Sequence, residues 1–199
     1  MIIDKTWKFS AKGEYLNIRC LSAKDVTEDY VAWLNDSDNK KQLWSLDPGS
    51  VTRASQMIYV EDVCQSEDRL LLGLFNNKNI LIGTSGVQQV QIARKHPVMG
   101  IFIGNQNYRG KGFGCILVWS ITSILFSTFD DTVKVTAGAL AVNQPSVRSF
   151  IKAGFKTEGI QLKQEFREFS GWSDFVLMGC FKNDLVATDV VGISDFEVE

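Results

Sequence analysis

The chain has 199 residues, a net charge of −2 and a hydrophobic fraction of 45%, which are ordinary proportions for one globular domain. This charge balance gives no support for binding to nucleic acid or to a membrane surface, and we expect neither partner. The amino-terminal residues lack the apolar core of a signal peptide, and no apolar segment comfortably spans a bilayer, so we expect a cytoplasmic protein. The four cysteines are scattered and His96 is the only histidine, so we expect no metal site.

The first half of the chain reads as alternating strands and helices. Residues 1–12 are interpreted as an amino-terminal extension outside the core. Alternation over residues 15–21 predicts a first strand, and apolar residues at helical spacing over 26–34 predict a first helix. Residues 52–64 predict a second helix, and residues 69–89 predict two strands joined by an asparagine-rich turn.

In the second half, a strand over 98–103 precedes a glycine-rich turn, and the apolar segment 115–129 predicts a buried helix. A strand at 132–137 and a helix from Pro145 to Gly154 follow, because proline suits a first helical turn and glycine a helix end. A last strand is expected at 175–181. Residues 183–199 are interpreted as an acidic tail. Mixed strands with helices on both sides predict an α/β (α+β) sandwich.

The glycine-rich turn is a predicted anion site. Gly110, Gly112 and Gly114 allow a sharp backbone turn, and the first N–H groups of the following helix have no intrahelical partner. Arg109 and Lys111 add positive charge. The segment is not a P-loop, because Gly112 stands where that motif needs a hydroxyl, and its glycine spacing also differs from the dinucleotide fingerprint. A glycine-rich connection with solvated charges is the alternative.

Two segments together resemble the GNAT superfamily of acyl-coenzyme A-dependent N-acetyltransferases. Residues 109–114 match its Q/R-x-x-G-x-G/A turn. Asn143, Phe150 and the pair Gly154-Phe155 match its asparagine–aromatic–Gly-Phe helix. Residues 15–36 resemble the start of the ribosomal-protein N-acetyltransferase branch. The resemblance implies a mixed central sheet flanked by helices on both faces, an acetyltransferase domain over 13–182, and acetyl-coenzyme A as cosubstrate without a metal.

The resemblance also implies a cofactor site made from the strand before the turn, the turn itself and the later helix. Its residues are Ile101, Phe102, Ile103, Arg109, Gly110, Lys111, Gly112, Phe113, Gly114, Asn143 and Phe150. One backbone N–H of the strand is expected to stabilise the developing oxyanion. A plain core strand is the alternative for Ile101 to Ile103, and an ordinary helix cap is the alternative for Asn143.

This sequence lacks two proton-transfer residues that many relatives have. Phe150 stands where they have a tyrosine that protonates the thiolate, and Val98 stands where they have a glutamate. Ser146, Ser149 or water is then the candidate acid, and His96, near the start of the same strand, is the candidate proton relay. A plain surface histidine is the alternative reading of His96.

The resulting functional expectation is acetyl transfer to a primary amine of a small molecule. Residues 136–138, followed by Asn143 and Ser146, resemble relatives that acetylate nucleotide-linked amino sugars, so an amino sugar is the expected acceptor. Trp44, Tyr59 and Trp172 are candidates for stacking on a sugar or base. A protein amino terminus and a non-catalytic acyl-coenzyme A-binding protein are the alternatives. The oligomeric state is left open, a dimer included.

Overall fold

The computed structural model describes residues 4–42, 49–90, 96–167, 171–186 and 197–198. Within these ranges the chain forms nine strands and five helices. The strands are β1 (Thr6–Ala11), β2 (Glu14–Cys20), β3 (Arg69–Asn76), β4 (Leu81–Gln88), β5 (Val98–Ile103), β6 (Lys134–Leu140), β7 (Lys156–Arg167), β8 (Gly171–Phe181) and β9 (Glu197–Val198). The helices are α1 (Glu28–Asn35), α2 (Ser37–Gln42), α3 (Arg53–Cys64), α4 (Phe113–Thr128) and α5 (Gln144–Lys152).

All described strands join one mixed sheet in the order β7-β8-β6-β5-β4-β3-β2-β1-β9. Neighbouring strands are antiparallel except for β5 and β6, which are parallel. The single parallel pair follows from the connection through α4, which returns the chain to the same end of the sheet. The predicted mixed central sheet is confirmed.

Helices cover both faces of this sheet, and β3 shows why. Its apolar run is buried on both sides, as expected of a strand between two layers. Leu72 and Leu74 pack in the larger core with α4, which is buried along nearly its whole length. Leu71 and Phe75 pack in a second core with α1 and α3. None of the described helices is long and apolar enough to cross a membrane.

The sheet divides between its two central strands. β5 and β6 pair only at Val98 with Thr136 and at Met99 with Ala137. Beyond that point β5 stays paired with β4 as far as Ile103, and β6 stays paired with β8 as far as Leu140. The two halves of the sheet therefore separate beyond Met99, and from there none of the described strands pairs with the inner edge of β5.

The interpretation of residues 1–12 as an extension outside the core is wrong for Thr6–Ala11. This segment is β1, paired with β2 along its whole length. Trp7, Phe9 and Ala11 are between 2% and 5% exposed and belong to the larger core. The alternation of these apolar residues with Lys8 and Ser10 is a period-two pattern, and its apolar side is buried only when the segment joins the sheet.

The described parts of the acidic tail also belong to the fold. Leu185 packs against the larger core, and the Val186 N–H donates to the Ala153 carbonyl at 3.1 Å. Asp184 forms an ion pair with Lys156 at 2.7 Å. β9 pairs with β1 at the far edge of the sheet. Residues 187–196 lie outside the described ranges.

We expect Trp7→Ala to lower the free energy of unfolding by about 3 to 5 kcal/mol, the range for truncating a buried large aromatic side chain. Urea denaturation measures the change. Lys8→Ala, on the exposed side of the same strand, is the matched control and should change stability by less than about 0.5 kcal/mol. If the two variants are equally stable, Trp7 does not contribute to the core, and the segment is an extension as the sequence predicts.

Candidate active site

The inner edge of β5 leads directly into the glycine-rich turn. After β5 the chain makes a short helical turn at Gln106–Tyr108 and then passes Gly110 and Gly112, whose φ angles are +71° and +88°. These left-handed conformations are the ones that glycine adopts without strain. α4 begins at Phe113, so the turn presents the positive end of a helix dipole beside the gap in the sheet. The predicted order of strand, turn and helix is confirmed.

A cavity of about 530 Å³ lies between this turn and α5. We call it the basic groove, because Arg109, Arg148 and Lys152 are the charged residues among those that line it. The predicted cofactor residues that line it are Ile101, Phe102, Ile103, Arg109, Gly110, Gly112, Gly114 and Asn143. Sequence reasoning missed Arg148 and Lys152, although their spacing of four on α5 places them on one helix face.

Three of the predicted cofactor residues do not line the groove. Lys111 is exposed on the turn, and Phe113 is buried beneath it at 3% exposure. Phe150 is fully buried in the larger core, where its ring lies edge-on to Phe155 with centroids 5.0 Å apart. A side chain with no exposed surface offers nothing to a ligand, so the placement of Phe150 beside the cofactor is wrong. Ser146 and Ser149 of the same helix are partly exposed and line the groove.

The Arg109 side chain is held against the protein at the open end of β5. Its Nε donates to the Ile103 carbonyl at 2.8 Å, and one Nη donates to the Gly104 carbonyl at 3.3 Å. The same Nη donates to Oδ1 of Asn39 at 2.9 Å, and Asn39 donates to the Trp33 carbonyl at 2.8 Å. Arg109 therefore ties the end of β5 to α1 and α2 as well as adding charge to the basic groove.

Tyr108 fixes the other side of the turn. Its hydroxyl accepts a hydrogen bond from Asn76 at 3.0 Å and donates to Glu14 at 3.3 Å. Its ring lies edge-on to Phe113 with centroids 4.8 Å apart. These contacts anchor the turn to the ends of β2 and β3, so the backbone amides of the turn have a fixed position relative to the sheet.

Asn143 caps a helix and also lines two cavities. Its side-chain oxygen accepts a hydrogen bond from the Ser146 N–H at 3.2 Å, which caps α5. Asn143 also lines the basic groove and a second cavity on the other side of the gap. Ser146, a predicted catalytic residue, lines both cavities as well.

The second cavity, of about 460 Å³, lies between the sheet and helices α1 and α3. None of its described lining residues carries a formal charge, so we call it the neutral cavity. Ile101, Phe102, Asn143 and Ser146 line both this cavity and the basic groove. The two cavities therefore meet at the point where β5 leaves β6, and this junction is the only part of the described structure that both share.

Some of the other residues predicted from the sequence line a cavity and others do not. His96 is exposed and lines neither of the two cavities, so the structure does not bring it to the junction. Val98, at the position where relatives have a glutamate, lines the neutral cavity. Tyr59 lines it too, whereas Trp172 is 62% exposed on β8 and lines neither cavity. Trp44 lies outside the described residues.

The model of the acetyltransferase (GNAT) domain family matches residues 16–156. The chain therefore belongs to the GNAT acetyltransferase family, whose members use acetyl-coenzyme A. No curated protein matches the chain. Among the described residues, no group of three or more histidine, cysteine or acidic side chains is assembled that could hold a metal ion.

Several solved structures have a similar fold. A spermidine N-acetyltransferase from Vibrio cholerae, in complex with CoA and spermine, has a TM-score of 0.73 at 18% identity and covers 85% of this chain and 96% of its own. A ribosomal-protein-S5-alanine acetyltransferase from Vibrio fischeri has a TM-score of 0.73 at 16% identity, covering 90% and 99%. A GNAT acetyltransferase from Streptococcus pneumoniae has a TM-score of 0.67 at 24% identity, covering 83% and 99%.

We expect Phe150→Tyr to lower the free energy of unfolding by about 1 to 3 kcal/mol, because its hydroxyl would enter an apolar core without a partner. It should not raise the acetylation rate. Urea denaturation and a rate per folded molecule measure the two effects. Phe181→Tyr, at a side chain that is 48% exposed, is the control that should leave stability unchanged. A faster Phe150→Tyr enzyme would restore the predicted place of residue 150 in the cofactor site.

Proposed function

We propose that the protein transfers the acetyl group of acetyl-coenzyme A to a primary amine of a small, uncharged or weakly basic molecule, with an amino sugar as the leading acceptor. The observation that carries this proposal is the junction lined by Ile101, Phe102, Asn143 and Ser146. It connects a groove of positive charge to a cavity whose described lining residues carry no charge. A polyanionic donor and a neutral acceptor placed on either side would meet there.

The basic groove fits coenzyme A by its chemistry. The glycine turn and the first amides of α4 offer N–H groups and a helix dipole to a pyrophosphate. Arg148 and Lys152 supply positive charge along the opposite wall. Beyond Met99 the inner edge of β5 pairs with none of the described strands, so its backbone N–H groups could bond the amide-containing arm. The bound cosubstrate would supply an acetyl group already activated as a thioester.

Two groups at the junction are assigned chemical roles in the transfer. A backbone N–H of residues 101–103 would hydrogen-bond the carbonyl oxygen as negative charge develops there, a contribution of roughly 3 kcal/mol. The Ser146 hydroxyl would pass the proton that the attacking amine loses to the departing thiolate, so the serine ends the reaction neutral. A thiol has a pKa of about 8.5, so its thiolate leaves without a strong acid.

The neutral cavity favours amines that are unprotonated near neutral pH. Burial raises the pKa of Tyr30, which therefore stays a neutral phenol, and Val98 replaces the glutamate of relatives. With no base among the described lining residues, the amine must arrive as the free base. A lysine-like amine has a pKa of about 10.4 and an α-amine about 7.7 to 8.0, so the weakly basic amine is the better substrate. This argument supports an amino sugar or a protein amino terminus over a polyamine.

We expect Gly112→Val to weaken coenzyme A binding by at least about tenfold, because a β-branched residue at φ +88° strains the turn and intrudes on the groove. Titration calorimetry with coenzyme A measures the affinity. Gly13→Val is the matched control: Gly13 has φ +75° in the hairpin between β1 and β2, away from the groove, so its strain should leave the affinity unchanged. Unaltered affinity in folded Gly112→Val would refute the proposed phosphate site.

We expect kcat/KM for D-glucosamine to exceed that for spermidine by at least about tenfold at neutral pH, because a larger fraction of the weaker base is unprotonated. Release of free coenzyme A measures turnover, and a peptide with a free amino terminus tests the alternative acceptor. Equal or faster acetylation of spermidine would contradict the neutral-acceptor proposal. Coenzyme A binding without turnover of any of the three amines would favour a non-catalytic binding protein.

A further inference from the structure

Three buried polar side chains meet at the wall of the neutral cavity. Tyr30 of α1, Gln56 of α3 and Thr84 of β4 are 2%, 8% and 6% exposed, and each lines the cavity. The Gln56 Nε2 donates to the Tyr30 hydroxyl at 3.2 Å. They come from three separate elements, and the surrounding core is apolar, with Leu34 and Leu71 also lining the cavity. We call them the polar triad.

The polar triad has more hydrogen-bonding groups than its internal contacts use. Gln56 has two N–H donors and a carbonyl acceptor, and Tyr30 and Thr84 each have a hydroxyl that both donates and accepts. No polar side-chain atom of the triad is fully buried without a partner, so any of these atoms that lacks a partner has an accessible surface. The triad therefore presents donors and acceptors at the cavity wall, where an acceptor molecule can use them.

The triad offers hydrogen bonds without charge. Burial raises the pKa of Tyr30, and the hydrogen bonds of Thr84 and Gln56 only partly oppose this effect, so the phenol remains a neutral donor. A cationic group placed against these residues would have no compensating carboxylate among the described lining residues. An uncharged group that both donates and accepts, such as a hydroxyl or an amide, matches them in kind.

The triad also lies close to the junction of the two cavities. Thr84 is directly paired with Phe102 across β4 and β5, and Phe102 lines both cavities. Adjacent strands are separated by about 4.8 Å. Thr84 is therefore one strand spacing from the backbone of β5, and the reacting amine would lie at the far edge of that strand. A ligand group that bonds to the Thr84 hydroxyl would extend over part of this distance, which places it a few bonds from the amine.

We propose that Tyr30, Gln56 and Thr84 recognise an uncharged hydroxyl or amide group that is adjacent to the reacting amine of the acceptor. This inference rests on the proposed function, since it places the acceptor in the neutral cavity. It makes these three residues determinants of acceptor specificity. They act by binding the substrate and take no part in proton transfer.

Two matched amines test the proposal: trans-2-aminocyclohexanol, and cyclohexylamine, which lacks only the hydroxyl. The ratio of their kcat/KM values is measured in the wild-type protein, in Tyr30→Phe and in Thr84→Val. Intrinsic reactivity differs between the amines but cancels when ratios are compared between proteins. We expect each variant to reduce the wild-type ratio roughly tenfold, the effect of about one hydrogen bond, while kcat/KM for cyclohexylamine stays within about twofold.

Tyr15→Phe is the matched control, because Tyr15 is 73% exposed and lines neither cavity. The ratio of the two kcat/KM values in this variant should equal the ratio in the wild-type protein. An unchanged ratio in Tyr30→Phe, or an equal loss for both amines, would overturn the recognition role. If the wild-type protein acetylates neither amine, acetyl transfer to small amines is itself contradicted. Calorimetry with the aminoalcohol then decides: binding weakened by Tyr30→Phe supports the recognition site, and equal or absent binding overturns it.

Discussion

The separation of β5 from β6 beyond the Met99–Ala137 pair is the constraint on which the site depends. A continuous sheet would satisfy the inner backbone groups of β5 with a neighbouring strand, and no ligand could reach them. Because β5 stays with β4 and β6 stays with β8, none of the described strands bonds these groups beyond Met99, and a gap opens in the middle of the sheet. The basic groove enters this gap from one side and the neutral cavity from the other, and in the proposed function this arrangement brings a donor and an acceptor together.

The contacts at the open end of β5 stabilise this separation. Arg109 bonds the carbonyls of Ile103 and Gly104, which gives the strand end partners other than β6. Gly104 lies against the Trp33 ring so closely that an added Cβ atom would overlap it. The Arg109 hydrogen bonds and the Gly104–Trp33 contact together connect the glycine-rich turn to α1, although the turn and the helix are far apart in sequence. The end of β5 therefore stabilises the position of a helix beside the neutral cavity and of the turn beside the basic groove.

Sequence reasoning was most successful where a pattern is local. The strand at 98–103, the turn at 109–114 and the helix that follows were predicted because periodicity and glycine spacing are visible in a short window. It failed for β1, because a short alternating pattern identifies a buried strand only when the neighbouring strand is known. Phe150 was misplaced because a family position does not reveal which way a side chain turns. The polar triad could not be predicted, since its members come from three elements separated by long stretches of chain.

The uneven distribution of charge between the two cavities has a consequence for the response to salt. Attraction between exposed charges is screened over about 10 Å at roughly 0.1 M ionic strength. The charged residues that line the basic groove, Arg109, Arg148 and Lys152, are exposed, whereas the described lining of the neutral cavity carries no charge. Ionic strength should therefore weaken the capture of a polyanionic ligand and leave the capture of an uncharged one nearly unaltered. Binding in the two halves of the gap should therefore depend differently on ionic strength.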